Sequence, residues 1–344
     1  MAATTSLYHL HVPTAATVRF GWPRKLVAVV MVLIGTAFVA ICLAANLFSV
    51  GPAFDRLTSG FRPIMTQQSI QLAQRNVQGL SAAGTEIQTR LLPALAQQLH
   101  MTPAQAQQMM ASQYPDVTNG LAQVKPITQS FSGLLNTLDR TRPLFVSADA
   151  IPTKDIGATS VPWALLVVGL GVIGLGAFAW FSPRLRGPVA ALVVGAALVA
   201  LPLSMNLVTK ATNADKLNAE LKPVYNQTLI DNANGALRTL SAMGSQLQQQ
   251  MLPAMAASLH TTPAALNSML QANFPTTATA LKTMPSALAG FRDMTGRFDR
   301  HLGDYNTLKP TSFEPIVWFM IASGAVLFTL GGAGLLVGRR AVRR

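Results

Sequence analysis

The chain is 344 residues long and carries a formal net charge of +13, yet only 11% of its residues are charged, against roughly 25% in soluble globular proteins. A chain with so few ionic groups and such long apolar blocks reads as a membrane protein rather than as two or three soluble domains. The positive balance does not mark a nucleic-acid binder, because nine of the 26 basic residues sit in three short clusters and no charged face with interleaved aromatics is present, so no nucleic-acid partner is expected.

Residues 1–25 have no sustained period and read as a cytoplasmic tail in which His9 and His11 lack the further ligands a metal site needs. Four apolar stretches, 26–48, 161–181, 189–208 and 315–338, are each long enough to cross a bilayer as a helix and contain no Asp, Glu, Lys, Arg or His. Cys42 is the single cysteine and lies in the first of them, so no intrachain disulfide can form. Trp22, Trp163, Trp180 and Trp318 fall near span ends, where an amphipathic ring prefers the headgroup region.

After the first span, Gly51-Pro52 is expected to break the helix, and 49–160 reads as a first extracytoplasmic helical domain with its linkers. A long helix begins near Pro63, with Val77, Leu80, Gly84, Ile87, Leu91, Leu95 and Leu99 on one face. Pro93 is expected to kink or break it. The helix stops at His100, and Thr102-Pro103-Ala104-Gln105 has the composition of a capping box that opens a short helix. A return helix through Leu121, Val124, Phe131, Leu135 and Leu138 leads to a linker from about Thr141 to Ser160.

Beyond the second span, 182–188 is a short cytoplasmic loop, and after the third span the pattern returns. The stretch 80–115 recurs at 240–275 with sixteen of 36 positions identical, no gap, and an offset of 160. Region 209–314 is therefore a second extracytoplasmic helical domain, with Leu237, Leu240, Gly244, Leu247, Met251, Met255 and Leu259 on its apolar face and Pro253, His260 and Thr262 at matched positions. The basic tail 339–344 closes the chain.

All thirteen acidic residues lie in the two long regions, whereas the clusters Arg19/Arg24/Lys25, Arg184/Arg186 and Arg339/Arg340/Arg343/Arg344 contain none. This Lys/Arg asymmetry places both termini and the central loop in the cytoplasm and both helical regions outside, in a multi-pass cell-membrane protein. The expected fold is all-α, with four transmembrane helices in two parallel tandem repeats, each carrying a small extracytoplasmic helical domain. An even number of spans per repeat preserves orientation and puts the repeat axis along the membrane normal.

Candidate interaction or packing residues come from the matched positions. Gly84 and Gly244 lie on the apolar face, where a missing side chain allows close helix crossing at a cost of about 1 kcal/mol. His100 and His260 suit helix C-terminal capping, since two imidazoles alone do not make a metal site. Asp139-Arg140 and Asp299-Arg300 suit local ion pairing or capping near the end of the return helix. Gly334 and Gly338 have GxxxG spacing in a span. Methionines such as Met109, Met110, Met251 and Met255 give the outer regions an adaptable apolar supply suited to core filling or to an acyl-chain or peptide groove. The sequon at Asn226 has no counterpart in the first repeat.

No Walker loop, dinucleotide glycine pattern, nucleophile elbow or zinc-protease motif is present. No catalytic, cofactor-binding or metal-ligating residue is therefore assigned, and no cofactor is expected. The pattern resembles small, duplicated helical membrane proteins of bacterial envelopes, which implies an envelope setting and no particular substrate. The expected function is a non-catalytic membrane scaffold or accessory subunit of a cell-envelope assembly, with a membrane-protein partner. The alternatives are a lipid-binding or lipid-transfer accessory and a membrane sensor. The sequence leaves the oligomeric state open.

Overall fold

The computed structural model describes residues 22–98, 100–153, 156–181 and 186–342. Expectations for 1–21, Leu99, 182–185, Arg343 and Arg344 lie outside the described residues. The first half comprises α1 (Trp22–Ala44), α2 (Leu47–Phe61), α3 (Gln67–Glu86), a π turn (Ile87–Leu91), α4 (Leu92–Gln98), α5 (Pro103–Gln113), α6 (Pro115–Asp149) and α7 (Ser160–Phe181). The second comprises α8 (Arg186–Ser204), α9 (Leu207–Leu221), α10 (Gln227–Gln246), a π turn (Leu247–Met251), α11 (Leu252–Ser258), α12 (Pro263–Asn273), α13 (Pro275–Arg300), α14 (Leu302–Leu308) and α15 (Glu314–Val342).

Four helices, over Lys25–Ala44, Ser160–Phe181, Gly187–Ser204 and Glu314–Leu336, are long and apolar enough to cross a membrane. The first and third end earlier than the hydropathy alone suggests. Asn46 (φ 48°) and Asn206 (φ 53°) adopt the left-handed conformation and end α1 and α8, a conformation asparagine tolerates better than most L-residues. The break expected at Gly51-Pro52 therefore falls at Asn46, and Pro52 lies inside α2.

Close contacts within the span helices run through glycine. A Cβ on Gly35 of α1 would come 2.5 Å from the Gly169 carbonyl of α7, and one on Gly176 would come 3.0 Å from the Ala28 carbonyl. Likewise a Cβ on Gly324 of α15 would lie 2.8 Å from the Gly195 carbonyl of α8, and one on Gly331 would lie 2.6 Å from the Leu192 nitrogen. Absent side chains let these backbones approach, as in other membrane helix pairs.

Residues Ile41–Leu165 and Leu201–Phe319 form one compact helical unit, distinct from the rest of the span helices. Within it α3 packs against both α6 and α13, and α10 packs against the same two helices. Each long helix of one sequence repeat thus lies against helices of both. Further out, α9 packs on α6 and α14 on α2, which are again pairings between repeats. The buried faces carry Ile70 and Val77 on α3, Leu121, Val124 and Leu135 on α6, Ile230, Leu237 and Leu240 on α10, and Met284, Leu288 and Met294 on α13. They line one face of each helix, and each large apolar side chain so buried contributes about 1.5–3 kcal/mol. Phe131 and Phe291, matched positions of the two repeats, pack with ring centroids 4.9 Å apart.

Pro93 and Pro253 do not end their helix. A proline lacks the N–H for the carbonyl four residues back, and its ring crowds that carbonyl. The π turn just before each proline widens the helix: the Leu92 N–H bonds to the Ile87 carbonyl and the Leu252 N–H to the Leu247 carbonyl, five residues back. The helix passes the proline by this local bulge. It stops instead at His100 (φ 52°) and His260 (φ 49°). There Met101 N–H reaches the Ala96 carbonyl and Thr261 N–H the Ala256 carbonyl, while His100 and His260 N–H reach Gln97 and Ala257. That pair of bonds is a Schellman C-cap.

The capping box read at Thr102 is present, with Gln105 N–H donating to Thr102 Oγ1 at 3.3 Å and Thr102 N–H to Gln105 Oε1 at 2.9 Å. Thr262 keeps only the first bond, from Ala265 N–H at 3.2 Å. In the return helix the repeats differ: α6 runs unbroken to Asp149, where a linker was expected from Thr141, whereas the matched chain breaks at His301 into α13 and α14.

Candidate functional site

Reciprocal caps join the two repeats within the helical unit. Helices α6 and α13 open with Tyr114-Pro115 and Phe274-Pro275, whose N-cap side chains make no capping bond. The acceptor comes from the other repeat: Glu86 Oε2 accepts from the Thr277 N–H (2.6 Å) and hydroxyl (2.7 Å), and Gln246 Oε1 accepts from the Val117 N–H (3.0 Å). Glu86 and Gln246 are matched positions, and both are buried. A carboxylate suits the partial positive charge of a helix N-terminus. Arg90 adds an ion pair to Glu86 at 3.6 Å and stacks over the Phe274 ring at 5.8 Å. Burying the charge is tolerable because its lone pairs are filled.

The chain is also fixed where it enters α7 and α15. Asp55 on α2 accepts from the N–H groups of Ala158 (2.7 Å) and Thr159 (2.8 Å), and Asp215 on α9 accepts from those of Phe313 and Glu314, both at 2.9 Å. Cys42, Gly51 and Asp55 all meet the stretch 158–162. Lys210 of α9 donates to the carbonyls of Ala150 (2.8 Å) and Pro152 (2.9 Å) beyond the C-terminus of α6, where a cation is favoured.

A second polar cluster has no counterpart in the other repeat. Arg56 of α2 donates to Asp304 Oδ1 of α14 through Nε (2.9 Å) and Nη2 (2.7 Å), and His301 Nδ1 lies 3.0 Å from Asp304 Oδ2. Burial pushes the Asp304 carboxyl up, but the hydrogen bonds from Arg56 and His301 outweigh it and hold it below the usual carboxylate range. The His301 ring lies directly on Gly60, where any Cβ would overlap it. Beneath lie Phe61, Phe298, Tyr225 and Tyr305, with Tyr225 stacked on Tyr305 at 4.4 Å and its hydroxyl donating to the Phe298 carbonyl at 2.8 Å. Burial, then the nearby Asp304 charge, drives the Tyr225 phenol well above its usual range. Positions 160 residues earlier hold Thr141, Leu144 and Met65 for His301, Asp304 and Tyr225. Comparing the repeats therefore passes over this cluster. An i, i+3 His–Asp spacing at 301 and 304 is the signal that was present.

The residues singled out from the sequence are dispersed. Gly84 is buried where a Cβ would come 2.8 Å from Val124 Cγ1, and Gly244 is buried 2.6 Å from Met284 Sδ on the same measure. His100 and His260 are exposed at their C-caps, and among the described residues no hydrogen bond or ion pair joins them. Asp139 and Arg140 lie within α6, not near its end. Arg140 pairs with Glu220 of α9 at 2.7 Å rather than with its neighbour. Asp299 and Arg300 are exposed at the end of α13. A Cβ on Gly334 would come 3.1 Å from the Pro188 ring, and the surroundings of Gly338 lie outside the described residues. Asn226 of the sequon caps α10, accepting from Leu229 N–H at 2.9 Å and donating to the Pro223 carbonyl at 3.1 Å.

Two grooves lie at matched places on the unit. One of about 550 Å³ runs between α6 and α10, past Pro126, Phe131, Asp231 and Gly235. The other, about 220 Å³, runs between α3 and α13, past Asn76, Gly290, Phe291 and Asp293. A third cavity, about 350 Å³, is lined by Met101, Met109, Met110, Met251 and Met255. Among the described residues no three His, Cys, Asp or Glu side chains gather as a metal-ligand set. No family model, no curated protein and no solved structure matches the chain.

Proposed function

We propose that the chain is a non-catalytic integral membrane scaffold or accessory subunit of a cell-envelope assembly. Both termini are cytoplasmic, and the helical unit stands outside as an intramolecular pseudo-dimer about an axis along the membrane normal. The carrying observation is how the polar side chains inside the unit are used. Glu86, Gln246, Asp55, Asp215, Arg56 and Asp304 bind backbone N–H groups or one another across elements. Groups spent in this way rigidify a surface, and the grooves of α6/α10 and α3/α13 are its recessed faces. A rigid surface with matched grooves suits a protein partner.

Purification of the intact protein in native nanodiscs, followed by mass spectrometry of proteins and lipids together, tests this reading. A stoichiometric membrane-protein partner is expected, and its binding is expected to fall when Gly235 and Gly290, which face open space in the grooves, are changed to Trp. A solitary protein with a stoichiometric lipid in the helical unit overturns it. That outcome would favour the lipid-binding alternative, for which the methionine-lined cavity is the supporting observation.

A further inference from the structure

We infer that Lys216, Lys222 and Lys309 form a site for the phosphate of an anionic membrane lipid beside the entry to α15. The inference is independent of the scaffold reading, and it comes from a difference between the repeats. In the first repeat Arg56, Arg62 and Asp149 line a cavity of about 320 Å³ together with Asp55. Both cations there are neutralised, Arg56 by Asp304 at 2.7 Å and Arg62 by Asp149 at 2.8 Å. The positions 160 residues on are Lys216, Lys222 and Lys309. The carboxylate that holds Arg62 is thus replaced by a third cation.

A hydrogen bond places Lys309 beside α9, the helix that carries Lys216 and ends at Lys222. Asn218 Nδ2 donates to the Lys309 carbonyl at 3.2 Å, and the Lys222 N–H donates to the Asn218 carbonyl at 3.0 Å, so one asparagine is bonded to the backbone of both lysines. Lys216 adjoins Asp215, whose carboxylate holds the first N–H groups of α15. All three lysines are exposed, and among the described residues none enters an ion pair. The carboxylates at hand are engaged: Asp215 by those N–H groups, Glu220 by Arg140, and Glu314 by the Trp318 indole N–H at 3.3 Å.

The location selects the ligand. Lys309 precedes by a few residues the helix Glu314–Leu336, one of those long and apolar enough to cross a membrane. Trp318, about one turn into that helix, is half exposed and suited to headgroup depth. Exposed cations without partners at such a helix end meet lipid phosphates, and each adds attraction for an anionic headgroup. The matched face of the first repeat, with its cations paired to Asp, lacks that attraction.

The full chain in nanodiscs of phosphatidylcholine with a minor share of phosphatidylglycerol, released for native mass spectrometry, tests the site. Wild type is expected to retain phosphatidylglycerol preferentially. Lys309→Asp, which recreates the charge pair of Arg62 and Asp149, is expected to lower that retention about tenfold or more, and Arg62→Gln is expected to leave it unchanged. Lys222→Gln provides the same readout if the aspartate variant does not fold. Equal retention in wild type and a folded lysine variant, or no preference over phosphatidylcholine in wild type, overturns the site. Displacement of the lipid by millimolar glycerol phosphate would assign it to soluble phosphate and overturn the lipid assignment.

Discussion

Glu86 and Gln246 show how one position serves two copies with different chemistry. Each caps the return helix of the other repeat, but Glu86 brings a buried charge that satisfies both the N–H and the hydroxyl of Thr277. Glu86→Ala leaves both donors buried without an acceptor and is expected to cost about 2 kcal/mol. Glu86→Gln, which copies the second repeat, should cost about half that, and thermal unfolding of the purified protein in detergent measures both. Equal, negligible losses would show that the cap is not formed. The sequence hid this contact because its partners are 191 residues apart. The visible hint was two proline-led helices without a Ser, Thr, Asp or Asn before the proline.

Asp304 belongs to the same scale. Its folded carboxyl lies below its ordinary value, so it contributes stability that is fully present above about pH 4 and is lost as pH falls through the depressed folded value. Asp304→Asn removes that contribution. The loss of stability on acidification is therefore expected to be shallower in the variant than in wild type, as read by the unfolding midpoint between neutral pH and about pH 3. Arg56 is more than half exposed, so solvent screens its part of the interaction and the effect is modest.

Among the elements, the helix stops were legible and their chemistry was not. The repeat marks His100 and His260 as equivalent, and the structure gives both positive φ. A histidine at a left-handed C-cap carries a steric penalty that glycine avoids, so His100→Gly and His260→Gly are each expected to raise stability by about 0.5–1 kcal/mol. A loss of stability in either variant, seen by the same unfolding measurement, would point to an imidazole contact absent here. The prolines at 93 and 253 show the opposite case. Proline predicts an interruption, but whether the chain kinks, breaks or bulges depends on what it packs against, and both sites use a π turn whose first and last residues, Ile87 and Leu91 or Leu247 and Met251, stay buried. Asn46 and Asn206 were visible only as a matched pair inside apolar stretches. Hydropathy does not see backbone handedness, and so the first and third spans read four residues too long.

At the scale of the molecule, apolar runs of about twenty residues reveal the four membrane-length helices because a bilayer-length stretch leaves a compositional trace. The pairing of helices leaves none. The apolar faces of α3, α6, α10 and α13 are readable from their periods, but any of them could pair with any other. Only the fold shows α3 and α10 each lying against α6 and α13. The same holds for α9 on α6 and α14 on α2, which tie the repeats into one unit. The helical unit depends on that interlocking, since neither half can bury its apolar faces alone. Dividing the chain within 182–188 and producing the halves separately and together measures it directly. The halves are expected to co-purify in equal amounts with the wild-type unfolding midpoint, and each alone is expected to aggregate or be degraded. Two separately expressed halves that are monomeric, soluble in detergent and cooperatively folded would contradict the interlocked unit.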